Sequence, residues 1–382
     1  MKLAMISKLF PNATHPLVGQ FNLQLANALS RQTALEVIAP VPGLPGCGAV
    51  PERTDRNGFG VRQPRFFAVP LLNRAIAGHS LARCLRRLPL DADALLATFA
   101  WPDGYAAVQL GIPTVVKIGG SDIDLLPRSG LRRAQTIIAL QRCRHAYVVA
   151  SHLRDKIANL GVAKEKVAVI HNGIDPAVFH PRDQREARHA LGLPQTGEII
   201  LYVGWIESDK GVEYLLRAHA ALKSQSLLVL IGNSDDPGFR RQMETLVRSL
   251  GTAARCQLIQ AQPHAQIATW LSAADIFAFP SLHEGCPNVV LEALACGLPM
   301  VATNVGGIPE ITPHAPWCEL VPPRDAPALT FGLQRLLATS WPRQQIAQSS
   351  QRTWDDVARD VLQVIQSVTT TESVTGFVKN SR

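Results

Sequence analysis

Short apolar runs alternate along the chain with longer stretches whose apolar residues recur every three or four positions. The first kind reads as buried strands and the second as amphipathic helices. KLAMIS and LEVIAP are strands flanking the helical pattern FNLQLANALSRQ, in which Phe21, Leu25, Ala28 and Leu29 share one face. A Pro/Gly-rich stretch, PVPGLPGCGAVPERTDRNG, reads as a loop. ALLATFA, TVVKIG, AYVVAS and VAVIHNG are further strands. After Phe179 the order lapses into HPRDQREARHALGLPQTG, which places a domain junction there. A second series follows: strand EIILYVGW, helix VEYLLRAHAAL, strand LLVLIG, helix RRQMETLVRSL, strand CQLIQ, strand DIFAFPS, helix VVLEALAC and strand MVAT. RTWDDVARDVLQVIQSV reads as a closing amphipathic helix, and the polar TTTESVTGFVKNSR as a frayed tail.

Strand–helix alternation of this kind predicts parallel sheets joined by right-handed crossovers. The 382 residues suit two domains rather than one. The expected boundaries are 1–178, 179–350, a closing helix at 351–370 packing back on the N-terminal domain, and a tail at 371–382. The expected architecture is two doubly wound α/β domains whose sheets face each other across a cleft, the usual place for a ligand.

Composition narrows the class. With 47% hydrophobic and 18% charged residues the chain is globular, and no apolar run reaches the length of a membrane span. Lys8 and Pro11 come too early for a signal-peptide core. The seven cysteines lack metal-type spacing; Cys286 and Cys296 sit in apolar runs and read as reduced cytosolic residues. Asp122-Ile-Asp124 and Asp91-Ala-Asp93 are triplets that 30 acidic residues produce by chance, so no metal site is expected. The net charge of +8 is uneven: residues 1–178 hold 21 Lys and Arg against 11 Asp and Glu, a balance of +10, which leaves −2 for the rest. The first half is therefore expected to meet something anionic, such as a membrane surface or a phosphorylated lipid. LARCLRRL, with Arg83, Arg86 and Arg87, is the candidate face; a solvated basic helix is the alternative. No nucleic-acid motif is present.

The chemistry concentrates in EGCPNVVLEALACGLPMVATNVGGIPE, Glu284 to Glu310. Asn288 reads as the N-cap of a helix that stops at Gly297. This makes a strand–loop–helix–strand unit whose loop lies at the carboxyl end of a strand. A helix N-terminus has unpaired N–H groups and a partial positive charge, so a diphosphate can sit there. Glu284 would then face one end of the ligand from the loop, and Glu292 the other from one turn inside the helix. The same spacing suits a loop charge and a solvated helix residue. A second phosphate candidate is YVGWIESDKGVEYLL, where Lys210 opens a helix, although a plain surface lysine would look the same. Neither a Walker motif nor G-x-G-x-x-G is present, which argues against an ordinary dinucleotide dehydrogenase. Gly19, between the first strand and first helix, permits close backbone approach to a ligand. GGSDID puts Asp122 at the carboxyl end of another strand, a candidate catalytic carboxylate.

Together these stretches resemble the retaining glycosyltransferases of family 4, over nearly the whole chain. EGCPNVVLEALACGLPMVATNVGGIPE follows that family's E-x7-E signature. VAVIHNGID with Phe179, ADIFAFPSLHEG and LVPPRD match as well. LFPNATHPLVGQF with GGSDID looks most like enzymes of bacterial cell-surface polysaccharides, including teichuronic-acid-type transferases. The resemblance implies the GT-B fold, a nucleotide-diphosphate sugar as donor, a glycan or lipid-linked glycan as acceptor, and no metal or other cofactor. It implies a cytoplasmic protein, peripheral on the inner face of the membrane. It assigns Glu284 to the transferred sugar, Glu292 to the ribose diol, and the backbone around Gly285, Cys286, Pro287, Asn288, Val289 and Val290 to the sugar and diphosphate. Lys210 would neutralise the leaving diphosphate, under the Gly19 loop. Trp205 stands on the diphosphate where the family often has arginine. Gly119 replaces a frequent histidine, and Gln260 a glycine near the base. His15, His171, His264 and His283 read as structural or surface residues. A nucleotide-sugar 2-epimerase and a non-catalytic nucleotide-sugar-binding subunit are the alternatives.

Overall fold

The computed structural model describes residues 1–43, 52–56, 58–67, 73–124, 126 and 130–376, with backbone only for 73–75 and 370–376. The chain forms two compact units, Met1–Asn172 with Trp354–Arg382, and Gly173–Thr353. The first contains an eight-stranded sheet. Its spatial order is Val167–Val169, His145–Val148, Thr114–Ile118, Ala94–Ala97, Lys2–Ile6, Ala34–Ile38, Phe59–Arg62 and Arg53–Arg56. All neighbours are parallel except the last pair. The central strands are buried along their whole length, as Leu95, Leu96, Val115 and Val116 are fully covered. A parallel strand covered on both faces reads as an unbroken apolar run, which is why ALLA and TVVKI were legible.

The strand Lys2–Ile6 has Ala34–Ile38 on one side and Ala94–Ala97 on the other, so the strand order reverses at this point. Crossovers leave it to opposite faces, and a crevice opens at its carboxyl end. The helix Gln20–Ser30 buries Leu25, Ala26, Ala28 and Leu29 against the sheet. The helix Trp354–Gly376 packs on it, with Trp354, Val357, Ala358, Val361 and Ile365 joining the core of Leu3, Met5 and Leu29. Each large buried apolar side chain contributes roughly 1.5–3 kcal/mol, so this return of the chain is integral to the first unit. An Arg31–Asp355 ion pair at 2.6 Å closes its edge.

The second unit holds six parallel strands in the order Cys256–Ile259, Leu227–Ile231, Ile199–Val203, Ile276–Phe279, Met300–Thr303 and Cys318–Val321. Here the order reverses between Ile199–Val203 and Ile276–Phe279.

Several expectations need correction. The polar stretch after Phe179 is not without regular structure: Asp183 caps a helix, Gln184–Ala190, inside the second unit. Its polarity is that of a surface helix. The chain crosses between the units at 172–173 and at 353–354, where Ile174 bridges Thr353. The expected loop at 40–58 contains strand pieces Val41–Pro42 and Arg53–Arg56, while 44–51 and 57 lie outside the described residues. The closing helix runs on to Gly376 rather than ending at 370; the last six residues of the expected tail are not described. Asn288 is the first helical residue of Asn288–Ala295, with Pro287 before it, and is not the N-cap. Proline's fixed φ and missing N–H suit the entry to a helix.

Candidate functional site

In the second unit the strand-order reversal brings together the two loops that carry the candidate residues. Ile199–Val203 is followed by Gly204, Trp205 and the short turn Ser208–Lys210, before the helix Val212–Ala220. Ile276–Phe279 is followed by the loop that holds Glu284, then by Asn288–Ala295. Backbone contacts fasten the loops to each other. Leu282 N–H donates to Asp209 O at 2.8 Å, and Gly307 N–H donates to Gly285 O at 2.9 Å. Thr303 Oγ1 donates to Ser281 O. Gly306 has φ +57°, and a Cβ there would stand 1.8 Å from Glu284 O. Only glycine lets these two backbones pass so closely.

Lys210 Nζ lies 2.9 Å from Glu284 Oε1, and Ser281 Oγ donates to the same oxygen at 2.7 Å. Both side chains are largely covered, 19% and 13% exposed. Burial pulls the Lys210 ammonium down, but Glu284, and Asp209 at 3.7 Å, outweigh it and leave the pKa above the ordinary value. The ammonium is therefore fixed in place and charged. Tyr202, buried beneath, is pushed well above its ordinary value, first by burial and then by Glu284 and the neighbouring acids. It keeps its proton and donates it to Trp205 O at 2.6 Å. Trp205 itself is 44% exposed. The result is a rigid seat for one cation and one carboxylate at the mouth of the sheet.

Glu292 is buried, one turn inside its helix, 8% exposed. It is not a solvated helix residue. His264, the first residue of His264–Ala273, places Nε2 2.9 Å from Glu292 Oε1 and its ring edge-on to Phe179, 4.8 Å away. Burial lowers the His264 pKa, but the hydrogen bond and charge of Glu292 raise it more, so it stands above its ordinary value. His264 was read from sequence as structural or surface; the structure makes it the partner of Glu292. Of the loop amides, Val290 N–H already donates to Pro287 O at 3.2 Å. Gly285, Cys286 and Pro287 are buried under the helix start, and Val289 is half-buried beside Asn288.

The first-unit candidates fare differently. Gly19 has φ +70°, and a Cβ would meet Leu9 O at 2.2 Å. Its glycine is thus required by the chain's own backbone, whatever approaches from outside. Asn22 holds this loop, donating to Leu9 O at 2.9 Å and Ser7 Oγ at 3.1 Å, with Lys117 Nζ 3.5 Å from its Oδ1. Asp122 is buried, and its two oxygens accept from Ala100 N–H at 3.1 Å and Gly120 N–H at 3.2 Å. This makes it a brace between two loops of the first unit. Burial pushes Asp122 up to about 6. Asp103, not singled out from sequence, is buried with Oδ1 unpartnered and is pushed up to about 7, again by burial. Gly119 has open space: a Cβ there would touch only Phe99, at 3.7 Å. His15 and His283 are exposed. Of the basic face, Arg83 lies in the last turn of the helix Asn73–Leu85 and Arg86 and Arg87 in the turn after it; Arg86 donates to Gln109 at 2.9 Å, while Arg83 and Arg87 do not.

Among the described residues no cluster of three or more His, Cys, Asp or Glu could hold a metal ion, and no described helix is long and apolar enough to cross a membrane. His264 was missed because its partner is 28 positions away in sequence; a histidine opening a helix after QAQP was the one available signal.

Comparison with known proteins bears on both units. Residues 18–178 match the profile described as Glycosyltransferase Family 4, and residues 183–353 that described as Glycosyl transferases group 1. The D-inositol 3-phosphate glycosyltransferases of Mycobacterium bovis and Mycobacterium tuberculosis are 39% identical over 159 residues, 41% of this chain. The match spans a third of the length of those curated relatives. Among solved structures, sucrose-phosphate synthase from Thermosynechococcus elongatus has a TM-score of 0.82 at 22% identity, over 97% of this chain and 100% of that one. Anabaena HepE, solved in complex with UDP-glucose, has a TM-score of 0.69 at 17% identity, over 98% and 100%. At these identities the likeness is one of fold, and that fold is GT-B.

Proposed function

The chain belongs to the glycosyltransferases of group 1 and family 4, and from that premise we propose that it transfers a sugar from a nucleotide-diphosphate sugar to a glycan acceptor with retention of configuration. The observation that carries this reading is the Lys210–Glu284 pair, held at 2.9 Å on adjacent loops where the strand order reverses, with buried Glu292 one turn beyond. In the reaction the bond between the anomeric carbon and the diphosphate oxygen breaks, and the diphosphate leaves with the electron pair. The acceptor oxygen forms the new bond on the same face, and its proton passes to the leaving diphosphate. Negative charge grows on the diphosphate and positive charge on the ring. Lys210 meets the first and Glu284 the second, both already in place before reaction. Removal of such a preorganised group costs on the order of 10²–10³ in rate, about 2.7–4 kcal/mol. Glu292 accepts from the ribose diol, and His264, with Nε2 2.9 Å from its Oε1, keeps it aimed. The donor reading gains support from the UDP-glucose bound to a relative in fold.

The acceptor is a cell-surface glycan carried on lipid, and the enzyme works without a metal ion at the inner membrane face. The surplus of basic residues in 1–178 supports that siting. Calorimetric titration with UDP, GDP, ADP, dTDP and CMP, on the wild type and on Glu292→Ala, tests the donor site. One diphosphate is expected to bind, and to bind the variant roughly 10- to 100-fold more weakly, the value of one or two hydrogen bonds to a carboxylate. Binding of no nucleotide would end the reading. Conversion of a nucleotide sugar in place, without acceptor, would replace it with an epimerase.

A further inference from the structure

Beyond the carboxyl ends of the strands Ala34–Ile38 and Phe59–Arg62, the first unit has a groove of about 670 Å³. One wall carries Gln63, Arg65 and Phe67, and the other Arg83 and Arg87. Cys84 ties the walls together by donating from Sγ to Arg65 O at 3.4 Å. Among the described residues, none of the three arginines has a side-chain hydrogen bond or an ion pair, whereas Arg62 and Arg86 both do. The lining has one carboxylate, Glu52, which also forms no ion pair. Three cations therefore face one anion. Gln63 is 2% exposed, and its Oε1 has no hydrogen-bond partner. Buried amides are nearly always satisfied, so an orphan in a groove wall points to a missing ligand group. Turned about, the same amide offers an NH₂ donor.

Guanidinium forks suit oxyanions, which accept two parallel hydrogen bonds from each. Phe67, 60% exposed at the rim, presents an apolar ring face on which a sugar can lie. The shape is concave, so it admits a small ligand and not the flat face of a bilayer. Its Gln63–Phe67 wall continues from the strand Phe59–Arg62, two strands along from Lys2–Ile6. We propose that it binds the phosphate of a phosphorylated sugar, which places a phosphate-bearing glycan as the acceptor. The word acceptor rests on the glycosyltransferase reading above, while the binding itself does not.

The test titrates the full chain with glucose 6-phosphate, inorganic phosphate, glucose and the nucleoside diphosphate panel, and adds sedimentation with phosphatidylglycerol vesicles. The samples are wild type, the double variant Arg83→Gln/Arg87→Gln, the single variants Arg83→Gln and Arg87→Gln, and Arg86→Gln as a control that removes the same charge as either single variant but outside the groove. Arg83 and Arg87 are exposed, so their loss leaves the fold intact. Glucose 6-phosphate is expected to bind the wild type, more tightly than phosphate, and glucose not at all. The double variant should weaken it at least tenfold, and Arg86→Gln should not change it. Equal weakening in all variants, no binding of glucose 6-phosphate, or a response of vesicles alone would overturn the proposal. Nucleoside diphosphate binding separates the two readings. If it persists while glucose 6-phosphate fails, only the groove falls. If it is absent while glucose 6-phosphate binds as expected, the groove stands as a phosphosugar site and the acceptor assignment falls.

Discussion

Replacing Glu284 by glutamine separates the two tasks of the Lys210–Glu284 pair. In the free protein the ammonium sits 2.9 Å from Glu284 Oε1, and both groups are mostly covered. Opposite charges 4 Å apart attract by about 4 kcal/mol at an effective dielectric near 20, and desolvation consumes part of that. The net hydrogen bond to a charged group is worth about 1.5–3 kcal/mol. A diphosphate arriving at Lys210 meets Glu284 as a like charge and must share the ammonium with it. Glutamine keeps the shape and the hydrogen bond from Ser281 while removing the charge. Bare nucleoside diphosphate is therefore expected to bind Glu284→Gln more tightly, by about 1.4 kcal/mol or tenfold. The complete nucleotide sugar loses the carboxylate that accepts from its hydroxyls, and should bind about tenfold more weakly. Lys210→Met, in contrast, weakens both ligands and lowers stability by roughly 1–3 kcal/mol, because it strands Glu284. Calorimetry with both ligands on both variants reads all four numbers. If Glu284→Gln weakened the bare diphosphate as much as Lys210→Met does, the division of labour between them would be refuted.

Three further outcomes are expected. His264 has a raised pKa, so its charged pair with Glu292 stabilises fully below the ordinary histidine value and fades as pH rises through the raised one. The wild type should thus melt about 2–4 °C above His264→Gln at pH 6, roughly 1 kcal/mol, with the gap closing as pH rises through the raised value; a constant gap would rule the pair out. Asp103 titrates at about 7 in the fold, against 3.8 for the free group, so the native state holds its proton longer and stability falls as pH climbs between those values. Asp103→Asn should remove a slope worth on the order of 4 kcal/mol, leaving the smaller one from Asp122, and an unchanged pH–melting curve would contradict the burial argument. Gly306→Ala drives a methyl to 1.8 Å from Glu284 O at a left-handed φ, so a loss of about 2–4 kcal/mol and weaker nucleotide-sugar binding are expected, and a melting temperature within 1–2 °C of wild type would show that the loop yields freely.

How much of this was legible follows from the reach of each interaction. The buried parallel strands and the helix after Glu284 announce themselves because side-chain period and covered faces are local properties, visible in ALLA, TVVKI and VVLEALA. Glu284 and Glu292 were legible for the same reason, one in a loop and one a turn inside a helix. The helix Gln184–Ala190 was not legible because a polar surface helix has the composition of a linker. Asp122 was singled out because it follows a strand at the sheet's carboxyl edge. Its oxygens are taken by Gly120 and by Ala100, 22 residues earlier, and only the fold brings Ala100 there. His264 was overlooked for the converse reason, because its meaning lies wholly in Glu292. Strand order links these cases. Where it reverses, residues far apart in the chain meet at one edge of a sheet, and sequence distance ceases to measure anything. Lys210 and Glu284, 74 positions apart, are neighbours because Ile199–Val203 pairs with Ile276–Phe279. The spacing of eight between the two glutamates is therefore the short-range half of a long-range arrangement. It sets one carboxylate at the loop and the other a turn deeper, while the lysine and histidine that hold them come from elsewhere in the sheet.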